Sequence, residues 1–425
     1  MSNNSEEKKR GIFSVLGPGL ITGASDDDPS GIGTYSQVGA QFGFGMLWTM
    51  LFTWPLMSAI QEISARIGRT TGKGIAGNLR HHYPKWFGYP IVFLLCLANI
   101  LNIGADIGAM GASLKLLIGG PALAYDIVFA LICFTGAALF SYKKYSGVLK
   151  WLTLVLVAYI GVAFVVKVPW SIALHQTVVP SISLKGGYLA ALVAVLGTTI
   201  SPYLFIWQAS EEVEEIKASK ADHPLKIHPE QRDAQFKRIR IDTYLGMFLS
   251  NAVAWFVILA AAVTLHAHGQ TDIGSAQQAA EALKPLGGQI AFLLFAGGII
   301  GTGLLAVPIL AGSAAYALGE EMHQKVGIDF SPRRAPAFYS IMGIATAIGV
   351  GLNFTSINPI KALVWCAIIN GVVAVPIMIA MMLMIRNKKV MGEMVDRGNG
   401  LYWMGWLATG VMLVAVIAMF ATMGQ

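Results

Sequence analysis

The sequence predicts an all-α polytopic membrane protein of eleven transmembrane helices, ten of them arranged as two five-helix repeats of opposite orientation. Three observations predict it. The 425 residues are 55% hydrophobic and only 12% charged, with a mean hydropathy of +0.62, too apolar for the surface of a soluble enzyme. Eleven apolar stretches each approach the roughly 20 residues that a bilayer span requires. Two of them, the first and the sixth, are interrupted in matching places, by Asp28-Pro29-Ser30-Gly31 and by Gly197 through Pro202.

The expected spans are 12–38, 45–66, 88–113, 123–142, 147–168, 187–210, 239–265, 287–316, 335–352, 360–385 and 401–422. All but five of the 30 Lys and Arg fall on one side of this arrangement, in clusters at Lys8–Arg10, Arg66–Lys85, Lys143–Lys150, Lys217–Arg240, Lys325–Arg334 and Arg386–Arg397. The five on the other side are Lys115, Lys167, Lys185, Lys284 and Lys361. Basic residues favour cytoplasmic loops, so the N-terminus is expected inside, the C-terminus outside, and the protein in the cell's inner (plasma) membrane. The formal charge of +7 therefore reports orientation, and nucleic acid is not expected as a partner. The first apolar run lacks a small-residue cleavage site and continues as a span, so no signal peptide is expected. Cys96, Cys133 and Cys366 all lie within spans, where packing is the expected role. Trp48, Trp86, Trp170, Tyr402 and Trp403 fit interfacial belts.

The expected organisation is a cytoplasmic tail (1–11), a first repeat (12–168), an outer connector (169–186), a second repeat (187–385), and a loop with the eleventh helix (386–425). Five helices per repeat is an odd number, which forces opposite membrane orientation, and helix breaks at equivalent depths are the usual pointer to a midplane site. The charged segment from Glu211 to Arg240 extends the sixth span and then loops back, as a solvated connector. The outer segment from His266 to Leu286 is expected to be a solvated loop despite His266 and His268.

Three adjacent carboxylates within a span cost about 3 kcal/mol each at the bilayer centre. Irregular backbone is tolerated at that depth only in a cavity or buried in protein, so the Asp cluster marks a cation site. Asp28, next to Pro29, is the expected anchor. Asp26 and Asp27 point elsewhere, because successive helical residues are about 100° apart, and one of them is expected in an aqueous vestibule. Across the gap Ser201 offers a hydroxyl and Thr198 a carbonyl, while Gly31 and Gly33 leave space. No Cys, Met or His lies at either break, so nothing there favours soft metals, and an oxygen-lined, roomy site suits Mg2+, which keeps part of its hydration shell. Asn99, Asn102 and Asp106 share one face of span three, as an ion or proton route or as a hydrogen-bonded packing network. Asn370 in span ten has the same two readings, and Gln61 and Glu62 are expected at the cytoplasmic exit or as a helix cap.

These residues resemble the Nramp (natural resistance-associated macrophage protein) divalent-metal transporters over nearly the whole chain. The motifs are Gly17-Pro18-Gly19, Asp28-Pro29-Ser30-Gly31, Gln61 through Gly72, Asp106, and Asn358-Pro359-Ile360-Lys361. The resemblance implies a LeuT-type fold, a midplane metal site between spans one and six, and alternating access, with metal entry coupled to protons in many members. It implies metal contact for Asp28, and extends it to Ser25, Thr198 and Ser201 and to the position of Gly31. The departures are Gly31 where the family has Asn, Ser201-Pro202-Tyr203 where it has Met-Pro-His, Ala109 where it has a carboxylate, and Ala367 where it has Gln. The pattern is similar to the divergent prokaryotic branch of Nramp-related magnesium transporters. Tyr203, with an ordinary pKa near 10, does not replace a titrating His at neutral pH.

The expected function is uptake of a hard divalent cation, Mg2+ first and Mn2+ second, without tight proton coupling and with no cofactor besides the transported ion. The rivals are a proton-coupled Mn2+/Fe2+ importer, a cation-coupled organic-solute symporter, and an intramembrane enzyme holding Mg2+-diphosphate. The last generally requires a second Asp-rich motif, and neither a P-loop nor a Gly-x-Ser-x-Gly element is present. The expected partners are the metal ion and the lipid bilayer, with no obligate protein partner.

Overall fold

The computed structural model describes residues 18–139, 157–219, 222–395 and 398–422. The tail, the first residues of span one, and the inner parts of spans four and five with the Lys143–Lys150 cluster lie outside the described residues. Span one is two helices, α1 (Pro18–Asp26) and α2 (Pro29–Phe42). Then follow α3 (Trp48–Thr71), α4 (Ile75–His82), α5 (Lys85–Ile118), α6 (Ala122–Leu139), α7 (Val157–Val165) and α8 (Trp170–Val178). Span six is again two helices, α9 (Gly186–Thr199) and α10 (Pro202–Ala218). The remainder is α11 (Arg232–Thr264), α12 (Ala276–Ala280), α13 (Gly288–Glu321), α14 (Pro336–Leu352), α15 (Pro359–Ile385), α16 (Lys388–Met391) and α17 (Gly400–Thr422). No strand occurs among the described residues.

Each of the eleven expected spans is helical over most of its described part. By length and composition, seven helical segments among the described residues are apolar enough to cross a membrane, and an eighth is the pair Pro29–Met46 and Trp48–Thr71, bent by 107°. Trp86, Phe93, Leu131, Val414 and Trp403 are exposed on α5, α6 and α17, the outward apolar face that a bilayer would cover.

Both breaks have the same local cause. Pro29 and Pro202 occupy the first position of α2 and α10, where proline's missing N–H is harmless and its fixed φ starts a helix. The same proline cannot continue the helix before it. α11 runs unbroken beside α1 and α2: Asp242 accepts the Gly19 N–H at 2.7 Å, and the backbone of Gly246 closes on Gly23 so tightly that no side chain fits there. On the other side Gly197 of α9 abuts the backbone of Ala367 and Gly371 on α15. These backbone-to-backbone contacts, of the small-residue type that packs membrane helices, set the two broken spans between continuous neighbours.

The Glu211–Arg240 segment extends span six to Ala218 and then loops back with much of its surface exposed, as expected, but its first glutamates are not solvated. Glu211, Glu212 and Glu214 are buried, and the N–H groups of Leu225 and Lys226 bond to the carbonyls of Arg69 and Thr70. Ion pairs make the burial tolerable: Arg69 lies 3.2 Å from Asp222 and 4.0 Å from Glu212, which Arg238 also contacts. Breaking a buried pair leaves an uncompensated charge, so Arg69→Met is expected to lower stability by about 3 kcal/mol, read as a lower unfolding temperature in detergent.

The outer segment is likewise anchored. His266 Nδ1 lies 2.8 Å from the Ala40 carbonyl, Gln37 bonds Thr271 and Ile273 of the loop, and Lys361 pairs with Asp272 at 3.1 Å. His266 therefore holds the end of α2 and is not a free loop histidine.

Candidate functional site

The breaks meet at the centre of the bundle. A side chain at Gly31 would stand 3.2 Å from Thr198 Oγ1, 3.3 Å from the Asp26 carbonyl and 3.4 Å from the Tyr35 ring. Glycine at this position therefore lets the two unwound segments approach closely, with no room for a side chain unless its neighbours shift, so the space expected at Gly31 is not open. Ser25, Asp26, Asp27, Asp28, Asn102, Asp106, Thr198, Ser201, Tyr203 and Asn370 are all 6% exposed or less, so the site is closed from both sides.

Asp28 is the N-cap of α2. Its Oδ1 accepts from the Gly31 N–H and the Ser30 hydroxyl, both at 2.7 Å. Its Oδ2 accepts from Asn102 Nδ2 of α5 and from the Tyr203 hydroxyl of α10, both at 3.2 Å. A carboxylate here also faces the positive end of α2. All four donors are neutral, so the negative charge is hydrogen-bonded but not cancelled.

Ser201 differs from expectation. Its hydroxyl turns back on the carbonyls of Gly197 (3.0 Å) and Thr198 (2.7 Å), which α9 leaves free at its end. The group that Thr198 presents toward span one is its side-chain Oγ1. The Ser25 carbonyl lies 3.1 Å from the Tyr203 hydroxyl and shares its single proton with Asp28 Oδ2. Gly33 does not open the site, because Leu363 of α15 fills the space beside it.

The shared face of span three divides in two. Asn102 belongs to the site, whereas Asn99 donates to the Leu310 carbonyl of α13 at 3.0 Å and is a packing contact. Asp106 lies near Asp28, with the Ser30 N–H turned toward it, yet neither carboxylate oxygen completes a hydrogen bond. Both amide atoms of Asn370 are likewise unpartnered. Asp26 and Asp27 do not line an open vestibule: both are buried against Ser250 of α11, at 2.6 and 3.3 Å from its hydroxyl.

Glu62 is tied to Arg66 and Arg240 at 2.5 and 3.2 Å, which makes it part of the ion-paired end of the bundle. Gln61 is buried with both amide atoms unpartnered. Ser64 and Gly68 contact Phe205 and Ala209 of α10, and Gln61 precedes Ser64 by about one turn on that face, level with the start of α10. Cys366 of α15 is buried in the core, as expected of a packing residue. One residue escaped the sequence reading: Asp126 of α6 is buried beside Asn353 and Gly111. A lone Asp in span four was the available signal.

Against this geometry, the profile of the family described as Natural resistance-associated macrophage protein-like (Nramp) matches residues 19–422. The chain belongs to the Nramp family. Its curated Nramp relatives include the divalent metal cation transporter MntH of Klebsiella pneumoniae subsp. pneumoniae, 25% identical over 435 residues and covering 97% of this chain and 98% of the relative. A second, from Klebsiella pneumoniae strain 342, is 24% identical and covers 98% and 95%. Among solved structures, the manganese transporter of Eremococcus coleocola superposes with a TM-score of 0.74 at 15% identity, over 98% of this chain and 89% of that one. MhsT in complex with L-phenylalanine gives 0.62 at 13% identity, over 95% and 97%, and Mhp1, of the nucleobase-cation-symport-1 family, gives 0.60 at 13%, over 96% and 92%. These likenesses establish the fold, which is the LeuT-type arrangement with helices one and six broken.

Proposed function

We propose that this chain is a secondary transporter, not an enzyme, that takes up a hard divalent cation, Mg2+ ahead of Mn2+, by alternating access without tight proton coupling. The observation that carries this is the Asp28 carboxylate, buried where two helix breaks meet and held by neutral donors from α2, α5 and α10 with no basic partner among the described residues. A dication supplies the missing charge. On its arrival Asn102 and Tyr203 release Oδ2, and Asn102 has an unpartnered Oδ1 to turn inward. Ser25, Thr198 and Ser201 contribute oxygens between the two breaks, and Ser30 and the Gly31 N–H keep the Asp28 carboxylate oriented throughout.

The names of the relatives support a divalent cargo. The preference for Mg2+ rests on the donor set, since the carboxylate, hydroxyl and carbonyl oxygens at the break are the ligands that a hard ion takes. The Cys366 thiol stands within range of Asp28 but outside its hydrogen-bond shell. Inward flux follows the negative-inside potential, worth about 2.3 kcal/mol per charge per 100 mV. Orientation with the N-terminus inside the inner membrane and the C-terminus outside follows the basic clusters.

Asp106 favours a second reading, a proton-coupled Mn2+/Fe2+ importer, because a buried carboxylate without a full set of hydrogen bonds is suited to carry a proton. Reconstituted protein in liposomes separates them. The proposal expects Mg2+ uptake that Mn2+ inhibits, with no internal acidification. Flux of Mn2+ or Cd2+ that is insensitive to Mg2+ and acidifies the lumen would establish the rival.

A further inference from the structure

Away from the ion site, one cavity is lined chiefly by basic side chains. It measures about 310 Å3, against the roughly 15 Å3 that a single water needs. Lys73, Arg80, His81, His323 and Gln324 line it, beside Glu320 and Gly77. It lies between α4, the short helix that joins spans two and three, and the end of α13. Glu320 is already committed: its two carboxylate oxygens accept from the Gly74 and Gly77 N–H groups at 2.8 and 2.7 Å, where the positive end of α4 offsets its charge. Arg80 donates to the Glu320 carbonyl at 3.1 Å, and its other terminal nitrogen touches His323 Nε2. Glu321 stands within range of Arg80 and Lys85. Lys73, Arg80 and Lys85 thus outnumber the two carboxylates by one charge, before either histidine is protonated.

The backbone of His323 is a separate observation. Its φ of +58° is the one left-handed value outside glycine among the described residues. The His323 N–H bonds the Glu320 carbonyl and the Gln324 N–H bonds the Gly319 carbonyl, a helix ending whose left-handed position glycine usually takes. Here that position carries an imidazole, and the imidazole lines the cavity. The depth of the cavity follows from α5. This helix starts at Lys85, just beyond α4, and Trp86 and Tyr89 are exposed on its first two turns. Such aromatic residues at the start of an apolar span sit at the membrane–water interface.

We propose that this cavity holds the phosphate of an anionic phospholipid of the cytoplasmic leaflet, which ties α4 to the inner end of α13. Arg80 and His323 take the phosphate oxygens, Lys73 and His81 complete the charge, and Trp86 borders the acyl chains. A phosphodiester carries one negative charge, which matches the surplus of the cavity. Arginine suits phosphate oxygens geometrically, and basic pockets between helices on the cytoplasmic side are where such headgroups bind. A zwitterionic headgroup brings its own cation, which the surplus positive charge disfavours.

The probes are phosphatidylglycerol, phosphatidylcholine and inorganic phosphate, each added to the purified full-length protein in a neutral detergent. Phosphatidylglycerol is expected to raise the unfolding temperature by about 3 °C or more, as a ligand of the folded state does, and to remain as one bound lipid per chain in native mass spectrometry. Phosphatidylcholine and inorganic phosphate are expected to do neither. His323→Gly removes the imidazole and supplies the residue that a left-handed backbone favours. Without lipid this variant is expected to unfold at or above the wild-type temperature, yet to lose most of the phosphatidylglycerol shift. Arg80→Gln is expected to lose that shift as well. Lys237→Gln, an exposed position of α11 outside the cavity, is expected to keep it. Equal shifts from phosphatidylcholine, or full shifts in both His323→Gly and Arg80→Gln, overturn the proposal. An equal loss in Lys237→Gln overturns it too, because the lipid then answers to overall charge. A matching shift from inorganic phosphate rejects a lipid as the occupant.

Discussion

Asp28→Ala is expected to reduce divalent-cation uptake to the level of protein-free liposomes, while the protein remains folded. The carboxylate is the group that four donors from three helices surround, and its removal takes away the charge that attracts a dication to mid-bilayer. It also removes the N-cap of α2, which costs about 1 kcal/mol, a small fraction of the stability of a large helical bundle. Asp28→Asn separates the two contributions. A carboxamide oxygen can still accept from Gly31 and Ser30 and cap the helix, so the unfolding temperature should match wild type while uptake is lost. If either variant transports at more than a tenth of the wild-type rate, the ion is held elsewhere.

Gly31→Asn combined with Ser201→Met is expected to shift the ratio of Cd2+ to Mg2+ uptake at least tenfold toward Cd2+. The pair puts a carboxamide and a thioether where the chain has neither, and a thioether favours softer ions over Mg2+. At Gly31 a side chain meets Thr198 Oγ1 at 3.2 Å and the Asp26 carbonyl at 3.3 Å, so the new Asn displaces these neighbours slightly and sets its carboxamide between the two breaks. Ser201→Met also frees the Gly197 and Thr198 carbonyls from the Ser201 hydroxyl. Competition of Cd2+ against Mg2+ in the same vesicles reads the change directly. An unchanged ratio would show that selectivity is set by residues away from the two breaks, with Cys366 first among them.

The helices and their breaks were legible in the sequence because each has a local cause. Twenty apolar residues form a span in any neighbourhood, and Pro29 and Pro202 end one helix and begin another whatever surrounds them. Asp28 was legible for the same reason, as a carboxylate directly before a proline at membrane depth. The errors were non-local. Glu212 reads as solvated because the charges around it are dense, but Arg69, which packs beside it in the interior, is far away in the chain. His266 reads as a loop residue because Ala40 is more than two hundred positions away.

Composition, span periodicity and the two prolines by themselves determined an all-helical membrane bundle with paired interruptions and a carboxylate at one of them. Only the tertiary structure decided which donors that carboxylate meets. It turned Asp28 toward Asn102 and Tyr203, Asp26 and Asp27 toward Ser250, and the Ser201 hydroxyl back onto its own helix. The physical reason is one of range. Helix formation and termination depend on dihedral limits and hydrogen bonds within a few residues, whereas the partner of a buried polar group is chosen by whichever helix packs against it.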